Sequence, residues 1–83
     1  MQTEWFMVMG IGYSGNVRGA VTARICEEQG IDALFDLLHR DPDAERSHLL
    51  RAKVSENGLR NWVPVKTIRR AASGAFIEQG PSR

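Results

Sequence analysis

Cysteine is nearly absent. Cys26 stands alone in the 83-residue chain, so no disulfide can form within it. A single thiol suits a reducing compartment, and the cytoplasm is the expected location. Soft metal ligands are equally scarce, with only His39 and His48 besides Cys26. Neither a CxxC nor an HxxxH spacing occurs, so a zinc site lacks donors, and no metal or other cofactor is expected. No apolar run approaches the ~20 residues that a membrane-spanning helix needs, so no membrane role is expected. The start, Met1-Gln2-Thr3-Glu4-Trp5, lacks the basic residues and apolar run of a secretory signal. There is no internal repeat and no low-complexity segment.

Charge is present, and it is unevenly spread. Residues 1–45 carry three basic and eight acidic side chains, a balance of −5. Residues 46–83 carry eight basic and two acidic ones, a balance of +6. The near-neutral total of +1 therefore hides a dipole, and the basic half is a candidate surface for an acidic partner. A pI near 8.0 is too mild to imply nucleic acid by itself. Apolar content of 42% and charged content of 25% are those of a folded domain rather than a disordered chain. The length suits one domain with a modest core and a stability of about 5–10 kcal/mol. The expected division is a compact unit over 1–70 and a tail over 71–83.

The second half carries the sharpest local signal. Residues 49–55 and 60–68 alternate apolar and polar side chains around Glu56-Asn57-Gly58-Leu59. Asn-Gly between such runs predicts a hairpin, because a type I′ turn needs positive φ at both central residues. With Asn57-Gly58 as the turn, Lys53 pairs with Trp62, Ala52 with Val63 and Leu50 with Val65. One face then collects Leu50, Ala52, Val54, Val63 and Val65. The other collects Arg51, Lys53, Arg60, Trp62 and Lys66. Pro64 has no N–H to give a ladder, which predicts an edge or a bulge there.

In the first half, residues 4–12 read as a strand. Residues 17–26 fit a strand or a helix. The strand is preferred because a helix would place Arg24 on the apolar face and Gly19 in the interior, at about 1 kcal/mol. Tyr13-Ser14-Gly15-Asn16 then turns a first hairpin. A helix follows, with Asp32 as N-cap and Ile31, Leu34, Phe35 and Leu38 as its stripe, ending at Asp41-Pro42. Asp41-Pro42-Asp43-Ala44-Glu45 could open one further helical turn. Beyond Ala71 the chain turns small and polar; Ala75-Phe76-Ile77 adds a short strand, or the segment is disordered. The expected fold is α+β, ββαββ: two antiparallel hairpins form one small sheet, open or closed toward a barrel, with one helix on it. Phe6, Val8, Val21, Ile25, Leu34, Leu38, Ala52, Val54, Val63 and Val65 are its expected core.

Motifs for catalysis are weak. Gly10-Ile11-Gly12-Tyr13-Ser14-Gly15 matches GxGxxG, but a dinucleotide site needs a helix directly after it and a parallel sheet. A glycine-rich hairpin turn explains it better. The same stretch misses the GxSxG nucleophile spacing by one residue, and no histidine is placed to activate Ser14. Asp41, Asp43 and Glu45 do not match a calcium loop. No enzymatic activity is expected.

Two surfaces remain. Trp5, Met7, Met9 and Ile11 form a second apolar stripe on the first strand, which a single helix cannot cover. Such a stripe suits a second copy of the chain or another protein. The second hairpin carries Arg51, Lys53, Arg60, Trp62 and Lys66, with Arg69 and Arg70 beyond. Cations around an exposed Trp suit phosphates and a stacked base, or an acidic protein surface. The residues thus point to a small accessory binding module that works through protein contacts, most directly by homodimerising. Nucleic-acid binding through the basic hairpin is the alternative.

Overall fold

Side-chain alternation and turn chemistry divide the described residues of this chain into six elements. The computed structural model describes residues 2–58 and 60–80. In order, the elements are β1 (Glu4–Gly12), β2 (Val17–Ile25), α1 (Glu27–Arg40), β3 (Ala44–Val54), β4 (Arg60–Arg70) and β5 (Phe76–Gln79). Every strand pairing is antiparallel, and the five strands form one sheet in the order β2-β1-β3-β4-β5. The sheet is open, with β2 and β5 at its edges. It is the expected α+β arrangement with a fifth strand added, and it does not close toward a barrel. Leu59 of the expected turn and residues 81–83 of the expected tail lie outside the described residues.

The first hairpin forms as its glycines direct. Gly15 adopts φ +83°, which only glycine takes at little cost. Gly12 N–H donates to Asn16 O at 2.8 Å and Gly15 N–H to Gly12 O at 3.0 Å. β2 follows immediately, so residues 17–25 are strand, and the GxGxxG match opens no helix.

The helix begins five residues before the expected cap at Asp32. Cys26 stands at the N-cap in extended conformation, and its N–H donates to Gln29 Oε1 at 3.1 Å. Glu27 and Glu28 fill the first turn, where negative charge opposes the helix dipole favourably. Asp32 is an exposed residue of the helix interior. After Asp41 there is a turn rather than a second helical segment: Asp43 N–H donates to Asp41 Oδ1 at 3.2 Å, and β3 starts at Ala44.

One face of the sheet holds the core. Phe6, Leu34, Leu38, Ala44, Leu49 and Ile68 are fully buried between α1 and β1, β3 and β4. The helix lies very close to β3 at Gly30, where an added Cβ would stand 2.7 Å from Leu49 Cδ1. Ser47, also fully buried, donates its hydroxyl to Leu34 O at 3.1 Å. β5 is tied to the same layer by Phe76, whose ring lies 4.8 Å from His39 and 6.1 Å from Phe35.

The second hairpin departs from the expected register by one residue. Val54 pairs with Arg60, Ala52 with Trp62, Arg51 with Val63 and Leu50 with Pro64. The loop spans five residues, and of its described members only Gly58 has positive φ, at +80°. Gly58 N–H donates to Ser55 O at 2.9 Å, so the turn is Ser55–Gly58 rather than Asn57-Gly58 alone. A bulge between Leu49 and Leu50 then returns the ladder to the expected register, with Leu49 opposite Lys66 and Ser47 opposite Ile68. The bulge adjoins Pro64, and β5 pairs only with Thr67–Arg70, so no β5 neighbour faces the missing N–H.

The slip changes which residues are core. Leu49 is buried in place of Leu50. Val54, Val63 and Val21 are exposed by 63%, 41% and 65%. Ala52 and Val54 lie on the side of the sheet away from the helix.

Candidate binding face of the sheet

The helix covers one side of the sheet, and no element of the described chain covers the other. Pairing arranges the uncovered side in rows. The first row holds Arg24 beside Trp5 and, one step past the Phe6–Arg51 pair, Ala52 beside Trp62. The second runs Thr22, Met7, Leu50, Pro64, and the third runs Ala20, Met9, His48, Thr67, Gln79. The fourth runs Val17, Ile11, Arg46, Arg69, Ile77. Arg60, opposite Val54, extends the face toward the loop.

The two surfaces expected from the sequence therefore meet on one face. Trp5, Met7 and Met9 share it with Trp62, Arg60 and Arg69. Trp5 is 40% exposed, while Met7, Met9 and Trp62 are half-buried. Ile11 is buried among its own neighbours and offers a partner little area. Arg24 and Arg46, absent from the sequence expectation, add two more guanidiniums. No Asp or Glu occupies a paired position on this face. The nearest carboxylate is Glu45, 3.7 Å from Arg46, and among the described residues no carboxylate pairs with Arg24, Arg60 or Arg69.

The remaining residues of the expected basic face point to the helix side. Arg51 lies over the Phe6 ring at 5.2 Å and pairs with Glu27 at 2.6 Å and Glu4 at 3.2 Å. Lys66 pairs with Glu78 at 3.6 Å. Lys53 is exposed opposite Asn61. Arg70 donates to Leu38 O at 2.5 Å and to Asp41 O and Ala44 O at 3.3 Å, closing the C-terminal end of α1. These four side chains are separated from Trp62 by the sheet itself: the one-residue slip turns Arg51 and Lys53 away from it, and the bulge turns Lys66 and Arg70 away.

Within the open face, His48 Nδ1 lies 2.7 Å from Thr67 Oγ1. Burial, and then the neighbouring Arg46 charge, hold its imidazole below the ordinary histidine range. Anions near this row would act in the opposite direction.

A second concavity lies between α1 and the edge strand β2. It measures about 400 Å³ and is lined chiefly by Phe6, Val8, Val21, Ala23, Ile25 and Leu37. Asp36 and Arg40 are its charged lining residues. At the neighbouring end of α1, Arg18 Nε donates to Asp41 Oδ2 at 2.7 Å, which holds the Asp41 carboxyl below the usual range. Among the described residues no group of three His, Cys, Asp or Glu is placed to hold a metal ion, and no helix is long and apolar enough to cross a membrane.

What the open face can do chemically follows from its members. Four guanidiniums supply forked donors for oxyanions. Two indoles and a Met-Leu strip supply flat and adaptable apolar area. No protein-family model matches the chain, and it has no significant match among curated proteins or solved structures.

Proposed function

We propose that this protein is a non-enzymatic binding module whose working surface is the open face of the sheet, and that its partner there is anionic. One observation carries the proposal: the uncovered face gathers Arg24, Arg46, Arg60 and Arg69 around Trp5 and Trp62 with no carboxylate at any paired position. A surface that needed only to stay hydrated would gain from mixed signs. One sign concentrated on one face attracts the opposite sign over a Debye length of about 8–10 Å at ordinary salt.

Homodimerisation through the Trp5, Met7, Met9 and Ile11 stripe has less support. Two copies packed face to face would bring eight like charges into one interface, and apposed like charges cost several kcal/mol. Ile11 would add little to such a contact, being 7% exposed already.

The test compares two variants of equal net charge. Arg24→Glu with Arg60→Glu alters the open face. Arg40→Glu with Lys53→Glu alters the helix side. Each pair takes the formal charge from +1 to −3. All four side chains are exposed, so both variants should fold. On a heparin column at low salt, the wild type and the helix-side variant are expected to be retained, and the open-face variant to elute early. Equal loss by both variants would reduce the effect to net charge and refute the assignment of the face.

A further inference from the structure

Resting on that assignment of the open face, we infer that the anionic partner is single-stranded nucleic acid, with bases stacked on Trp5 and Trp62 and phosphates held by Arg46 and Arg69. The geometry has three parts.

The first is the tryptophan row. Trp62 pairs with Ala52, and the register brings Trp5 to the other side of Ala52. Neighbouring strands lie ~4.8 Å apart, so the backbones of β1 and β4 that carry the two indoles lie about 10 Å apart, with one small side chain between them. Alanine leaves a slot between two aromatic rings. Flat heteroaromatic rings fill such a slot, and every base offers a π-face to it.

The second is the arginine row. Arg46 and Arg69 stand directly opposite each other on β3 and β4. Like charges in that position destabilise a sheet. Arg46 Nε is buried without a hydrogen-bond partner, and Glu45 reaches only Nη1, at 3.7 Å. A phosphate between the two guanidiniums would replace repulsion with charge-assisted hydrogen bonds.

The third is the distance between the rows. Ala52 and Arg46 are six residues apart on β3, which is about 20 Å along a strand. A face of that length and about 20 Å across five strands matches an extended strand of nucleotides laid over a flat surface. A duplex keeps its bases stacked inside and offers no free base face to the indoles. An acidic polypeptide would engage the arginines but has no regular use for the paired indoles. Thr22, Thr67 and Gln79 offer hydrogen bonds between the rows.

The experiment titrates the full chain with three probes: a single-stranded oligothymidylate of roughly ten nucleotides, a duplex of equal length, and polyglutamate. Trp5 and Trp62 are the only tryptophans, so quenching of their fluorescence reports stacking directly. The oligothymidylate is expected to quench strongly and to bind at least ten-fold more tightly than the other two. Trp62→Ala should weaken it by about five- to a hundred-fold, the range found for lost base–aromatic stacking, while Trp62→Phe retains most of the affinity. The slope of log affinity against log salt should be near −0.7 for each phosphate contact.

Polyglutamate binding as tightly as the oligothymidylate, with no effect of Trp62→Ala, would overturn the nucleic-acid inference and leave the anionic face standing. A duplex preference insensitive to Trp62→Ala would do the same. Affinity unchanged in the Arg24→Glu, Arg60→Glu variant would overturn both. So would the failure of all three probes to bind at low salt.

Discussion

Arg69 and Arg70 are neighbours in the chain and have opposite work. The strand turns Arg69 toward the open face, beside Arg46 and Ile77. It turns Arg70 toward the helix, where three backbone carbonyls receive its guanidinium and Phe76 lies beneath it at 5.2 Å. A cation at a helix C-terminus also meets the negative end of the dipole. Arg70→Met should therefore lower unfolding free energy by about 1–3 kcal/mol, the worth of hydrogen bonds from a charged group. Its retention on heparin should fall only slightly. Arg69→Met should keep or slightly raise stability, because it relieves the opposition to Arg46, and should lose more retention. Urea unfolding and the column together decide the matter, since both variants lose one charge. The reverse pattern would put the wrong arginine on the working face.

Among elements, the contact between α1 and β3 positions everything else. Gly30 is a poor helix residue, at about 1 kcal/mol against alanine. Its role is proximity, since Leu49 fills the space a Cβ would take. Leu49 is fully buried and has nowhere to move, so Gly30→Ala should destabilise the fold by about 1–2 kcal/mol despite the better helix propensity. A stability gain in urea unfolding would show that the helix floats above the sheet.

The elements themselves were largely legible in the sequence. β1 has its expected bounds, and Gly19 and Arg24 argued correctly for strand β2. The helix start was not legible at Cys26, because Asp32 is the stronger capping residue by type. Gln29 three residues after Cys26 was the missed signal, a capping pattern with a thiol in place of a hydroxyl. The hairpin register was degenerate. Leu49 and Leu50 are adjacent and both apolar, and Val63 and Val65 flank Pro64. Either register buries branched side chains, and a two-residue turn is indistinguishable from a five-residue loop that uses the same Gly58. The loop and the bulge at β4 settle it in three dimensions. Arg46 escaped notice because β3 starts at Ala44, five residues before the expected strand.

At the scale of the whole molecule, the charge split of the sequence does not simply become a split between layers, since Arg51, Lys53, Lys66 and Arg70 of the basic half lie on the helix side among the acidic groups. The helix carries Glu27, Glu28, Asp32 and Asp36, while the open sheet face carries four arginines. The helix side mixes both signs and the open face carries one, so a polyanion is drawn to the open face. The fold is small enough that its core occupies one side of the sheet only, and the other side is free to hold two indoles near solvent. The central claim is that this side receives single-stranded nucleic acid. The most direct measurement is backbone amide NMR of the labelled chain titrated with the oligothymidylate. Shift changes should concentrate on β1, β3 and β4 around Trp5, His48, Trp62 and Arg69, with the two indole N–H signals moving most and α1 unmoved. Changes confined to α1 and the β2 groove, or none at a several-fold excess of the probe, would contradict the account.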